Sequence, residues 1–147
     1  MTTALDAAKY LLTLDDVSSG DLTSNLKLQK LLYYAQGLHL ALHNAPLFDA
    51  RIEAWQHGPV CPPVYHEFKR CGSGAVDAVA FDVDSLSQQA RDVLDEAHTV
   101  YGQFSAWRLR ELTHAEPPWR GAYDENASPS VEISHDALRT YFLTQLR

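Results

Sequence analysis

One segment constrains this chain more than any other: "LKLQKLLYYAQGLHLALHN", residues 26 to 44. Leu28, Leu31, Leu32, Ala35, Leu38 and Leu42 recur mainly at three- and four-residue steps. That is the period of one helix face, so a long helix with a broad apolar stripe is required here. Thr23 or Ser24 can cap its start, and Asn44 with Pro46 ends it. Gly37 inside the helix costs about 1 kcal/mol relative to Ala, which predicts a close crossing with another helix. Asn25, Lys27, Gln29 and Lys30 stand off the stripe. Lys27 and Lys30 are expected on the exposed side, snorkelling to water or pairing with carboxylates.

The remaining pattern is mostly helical too. Thr3 caps a first helix with Leu5, Ala8 and Leu12 on one face, and "DDVSSGD" breaks it. Residues 51–55 read as a short strand with Ile52 and Ala54 alternating, and Val79, Phe81 and Val83 read as its partner. Between them "PPVYHEFKRCG" starts with proline at a permitted first-turn position and stops at Gly72, a short helix. Ser85 with Gln88 forms a capping box for a helix whose stripe is Leu86, Ala90, Val93, Leu94, Ala97, Val100 and Tyr101. Ser105 caps a helix carrying Ala106, Leu109 and Leu112. One helical turn is expected around Trp119 in the turn-rich "EPPWRGAYDENASPS". Ser134 caps a last helix with Leu138, Tyr141, Phe142 and Leu146 facing inward. With 147 residues, 46% of them hydrophobic and 21% charged, this predicts a mainly α chain. It is one compact helical domain over residues 1–147 with a small two-stranded β element. Leu31, Leu38 and Trp119 are expected in its core.

Composition excludes several function classes. The formal charge of −7 argues against nucleic acid as a partner, because such proteins carry a basic footprint. A helix-turn-helix built on Asn25, Lys27, Gln29 and Lys30 fails for the same reason, its connecting segment being acidic and long for that motif. No apolar run is long enough for a membrane span, and "MTTALDAAKY" lacks the basic and apolar regions of a signal peptide. A cytoplasmic location is the default expectation, and there Cys61 and Cys71 are expected to stay reduced.

The densest chemistry lies in "WQHGPVCPPVYHEFKR", residues 55 to 70. His57, Cys61, His66 and Cys71 have ligand chemistry, but nine residues separate the two cysteines. Zinc sites favour ligand pairs two to four residues apart, so no metal and no cofactor are expected. Cys61 precedes a helix and has His57 and His66 near in sequence, yet no orienting third group completes a nucleophilic site. "CGSGAV" lacks the Lys-Ser/Thr pair of a phosphate loop. No catalytic residue is assigned, and the chain is read as a binding module. Gly58-Pro59 makes a tight turn and Pro62-Pro63 starts a helix, so the stretch is rigid before it folds. Trp55 is expected to anchor it in the core, while His57, Val60, Tyr65, His66 and Lys69 form the candidate partner-binding set.

Three segments in order resemble one family. "LKLQKLLYYAQG", "PLFDARIEAWQHGPVCPPVYHEFKRCG" and "LRELTHAEPPWRGA" are similar to successive motifs of the SocA-like antitoxins, or Panacea-domain proteins. The likeness runs from about Ala7 to Ala122; Cys61 and Cys71 are not part of the signature. The resemblance implies a bacterial or phage antitoxin that neutralises a cognate protein toxin by direct contact, by occlusion or by presenting it to a protease. It names no catalytic residue. The competing reading is a DNA-binding regulator of its own operon.

Overall fold

Helix α2 (Asn25–His43) runs through the centre of the molecule and is buried on every side from Asn25 to Leu40 apart from Leu26. The computed structural model describes residues 2–15, 23–72, 74, 76, 80–127 and 130–146. Ser24 caps α2, its side chain accepting from Lys27 N, and Asn44 closes the other end in the left-handed region at φ 52°. Around α2 pack α1 (Ala4–Thr13), α3 (Pro62–Phe68), α4 (Gln88–Tyr101), α5 (Ala106–His114) and α7 (His135–Leu143). A short α6 (Pro117–Ala122) packs on α5 and α7. The mainly helical class is as the periodicity requires, and Leu31, Leu38 and Trp119 are buried. The break at "DDVSSGD" lies almost wholly outside the described residues.

Gly37 marks the closest crossing. A Cβ there would overlap the Phe142 ring of α7, so the absent side chain is what lets the two helices meet. Tyr33, Tyr34 and Phe142 fill the same seam edge to face, with centroids 5.0, 5.6 and 5.9 Å apart.

Three local expectations are corrected. Ile52, just before β1 (Glu53–Trp55), and Ala54 within it are buried as expected, but the partner of β1 is β2 (Gly58–Val60), antiparallel through the turn at Gln56-His57. Its other edge is filled by residues 131–133: Ala54 N donates to Val131 O and Ile133 N to Ile52 O. No edge is left for the 79–83 segment: Val83 enters a 3₁₀ turn, Phe81 is half-buried outside any strand, and Val79 lies outside the described residues. The cap of α4 is Ser87, whose side chain accepts from Ala90 N, because the 3₁₀ turn Val83–Ser85 takes up Ser85. Leu42 and Val100, placed on apolar stripes by periodicity, are 50% and 37% exposed. They border a groove of about 580 Å³ floored by Leu38 and Val93, since the stripe outruns the neighbours available to cover it.

The largest correction concerns Lys27 and Lys30. Both are buried, Lys30 completely. Lys27 Nζ donates to Gly102 O at 2.6 Å and Lys30 Nζ to Pro59 O at 3.3 Å. The polar side of α2 faces backbone carbonyls of packed loops instead of water.

Candidate partner-binding site

Polar side chains of α2 hold the loops that bear the candidate rim. Gln36 accepts from Leu47 N at 2.8 Å and donates to Phe48 O at 2.8 Å, pinning "PLF" before β1. Gln29 accepts from Cys61 N at 2.9 Å and donates to Asn25 Oδ1, while Asn25 donates to Tyr65 O at 3.0 Å. These bonds pair backbone groups on both sides of the β1–β2 hairpin with α2. The tight turn expected at Gly58-Pro59 falls one step earlier, at Gln56-His57, and Gly58 opens β2 at φ 113°, where a Cβ would press on the Lys30 stem at 2.7 Å. The rim is therefore mounted on a buried polar network instead of an apolar floor alone.

On this mount the structure brings some of the expected residues together. Trp55 and Tyr65 meet edge to face at 5.1 Å, and the His66 ring lies 5.6 Å from Tyr65 and 6.4 Å from Trp55. His57, His66 and Lys69 are exposed, and Tyr65 is half-buried. Val60 is not at the surface: it is 1% exposed, because β2 turns its side chain under the sheet. It lies beneath the candidate rim. Trp55 is half-buried, its indole donating to Glu53 Oε1 at 3.0 Å, so it is anchor and surface at once. His57 also borders a polar cleft of about 340 Å³ with Gln56, Tyr123, Asp124 and Glu125.

Cysteine chemistry finds no support here. Burial pushes the Cys61 thiol up to about 11, away from the thiolate that a nucleophile or metal ligand needs. Among the described residues no three His, Cys, Asp or Glu side chains converge in a metal-holding group. No helix among them is long and apolar enough to cross a membrane.

Two groupings escaped the sequence reading. Glu116, mostly buried, accepts hydrogen bonds from Tyr33 and Tyr34 hydroxyls at 2.9 Å each. Burial raises its carboxyl above the ordinary range, more than hydrogen bonding from Tyr33, Tyr34 and Tyr141 lowers it. The adjacent tyrosines at 33 and 34 were the available signal, masked by their place in an apolar run.

The second grouping surrounds the β1–β2 turn. Burial first, and then Arg110, lowers the Lys30 amine to about 7. The His114 ring stacks on Trp119 at 4.0 Å, and Trp119 donates its indole N–H to Trp55 O at 2.8 Å. Burial, then Arg110 and Lys30, pull His114 down, against a hydrogen bond with the Gln56 backbone. Arg110 lies 4.8 Å over the ring of Trp107, which is 64% exposed. A Cβ on Gly58 would also meet Thr113 Oγ1 at 3.0 Å, so Lys30, Gly58, Thr113, His114 and Trp119, drawn from separate parts of the sequence, lie together here.

The fold is a mainly helical domain whose central helix holds the β1–β2 hairpin and the start of α3 through buried polar side chains. The chain belongs to the family described as antitoxin SocA-like, Panacea domain, whose model matches residues 28–120. It is 35% identical over 121 residues to antitoxin SocA of Caulobacter vibrioides (strain NA1000 / CB15N). That similarity takes in 74% of this chain and 64% of the relative, so the chain spans just under two thirds of the curated protein it matches. No solved structure shows significant similarity.

Proposed function

We propose that this protein is an antitoxin that neutralises a cognate protein toxin by direct binding, with residues 1–147 acting as one domain in the cytoplasm. His57, Tyr65, His66 and Lys69 supply the contacts, and Val60 and Trp55 hold them in place. The observation that carries this reading is the ordered aromatic and polar rim fixed by Asn25, Gln29 and Lys30 in a member of an antitoxin family. A rigid rim loses little conformational entropy on docking, which favours affinity. Binding, not turnover, gives protection, and the bound toxin is either occluded or presented to a protease.

The test is growth of cells expressing the product of the neighbouring gene, with and without this protein, together with a pull-down of the pair. Protection with a stable complex is expected, and Lys69→Glu should weaken both while leaving the melting temperature unchanged. Toxin half-life measured with and without this protein separates presentation from occlusion: a shortened half-life marks delivery. Protection without a complex, accompanied by promoter binding, would transfer the function to the operon-regulator reading.

A further inference from the structure

We propose that the face of α5 formed by Trp107, Arg110 and His114, with His57 at its edge, docks an acidic segment of the partner protein; this rests on the partner-binding function proposed above. The three α5 residues are spaced i, i+3 and i+7, so they share one face. Arg110 lies 4.8 Å over the Trp107 ring, and the His114 ring is fixed against Trp119 at 4.0 Å. Behind them Lys30 Nζ is held by Pro59 O at 3.3 Å, directly under the turn that carries His57.

In a chain of formal charge −7, these four basic side chains have no carboxylate within ion-pair distance among the described residues. The carboxylate nearest in sequence, Glu111, pairs instead with Arg108 at 3.9 Å. Arg110 Nε has no hydrogen-bond partner among the described residues. Arg110 is half-buried, so an incoming carboxylate can form charge-assisted bonds with the part of the guanidinium that reaches solvent, and the exposed Trp107 offers an apolar plate beside it. Trp and Arg together are the residue types that dominate interface energetics. The occupant is thus a peptide segment with one or two carboxylates flanking an apolar side chain. Duplex nucleic acid fits poorly, since its binding requires many neutralised phosphates and Arg110 is the face's single permanently charged group.

The experiment titrates the full chain with two fluorescein-labelled decapeptides, one with Asp and Glu flanking Leu and the other with Lys in place of the acids. A labelled duplex DNA is titrated alongside. Saturable binding of the acidic peptide is expected, weakened at least tenfold by Arg110→Glu and by Trp107→Ala, and less than twofold by Lys9→Glu on α1. Both test positions reach solvent, and circular dichroism checks that the variants fold. Equal binding by wild type and Arg110→Glu, absence of acidic-peptide binding, or tighter binding of the duplex would each overturn the proposal. The two readings separate in the toxin pull-down. Capture of toxin by Arg110→Glu and Trp107→Ala as strongly as by wild type removes this surface and leaves the antitoxin function standing. Loss of capture in both variants supports the surface. No capture by wild type, with the peptide still bound through Arg110, removes the antitoxin function and keeps the acid-binding face.

Discussion

Replacing Lys30 with Met removes an ammonium from the centre of the fold while keeping its unbranched stem. The amine titrates near 7 in the folded chain, chiefly because it is buried, against an ordinary 10.5 when unfolded. At about 1.4 kcal/mol per pH unit, that gap corresponds to roughly 5 kcal/mol of lost stability, an upper bound for burying the charge. Met in turn leaves Pro59 O without its donor, which costs roughly 1–3 kcal/mol. The variant should therefore be more stable than wild type by roughly 2–4 kcal/mol at pH 6, the two opposing terms taken together. The sign reverses the usual ion-pair case. Below pH 7 folded and unfolded chains both hold the proton, so wild type bears the full penalty. Between about 7 and 10.5 the folded amine is neutral while the unfolded one stays protonated, so wild-type stability rises with pH through that window. Urea unfolding of both proteins at pH 6 and pH 10 measures the gap, which should shrink to nothing or invert at the higher pH. A Met variant less stable than wild type at pH 6, or a gap independent of pH, would refute this account of Lys30.

Three further outcomes follow from the packing. Gly37→Ala should destabilise by about 1–3 kcal/mol in thermal unfolding despite alanine's better helix propensity, because its methyl overlaps the Phe142 ring; a stabilised variant would mean α7 yields freely. Glu116→Ala should cost roughly 1–3 kcal/mol for each tyrosine hydroxyl it strands, and Glu116→Gln clearly less. Since the Glu116 carboxyl is raised by burial, its protonated form favours the fold, so the advantage of wild type over Glu116→Gln should fall as pH rises above the ordinary 4.5; an advantage that grows instead contradicts it. In native protein a thiol reagent should modify half-buried Cys71 well before Cys61, whose thiol is buried and pushed up to about 11, and equal rates would place Cys61 at the surface.

Much of this protein is legible in its sequence. Spacing of Leu28, Leu31, Leu32 and Leu38 specifies the central helix, Thr3, Ser24, Ser105 and Ser134 mark starts that the caps reproduce, and Gly37 announces a close crossing. These signals are local: a cap needs three neighbouring residues and a stripe needs one helix. Strand pairing was not legible, because residues 131–133 reach β1 from across the chain and local alternation carries no record of which edge is free. Nor was the fate of Lys27 and Lys30, which read as exposed and are buried, Lys30 bonded to Pro59 O of β2 and Lys27 to Gly102 O. A polar side chain has the same local pattern whether water or a distant carbonyl satisfies it, and only the tertiary structure, by bringing Pro59, Cys61, Tyr65 and Gly102 onto α2, decides which.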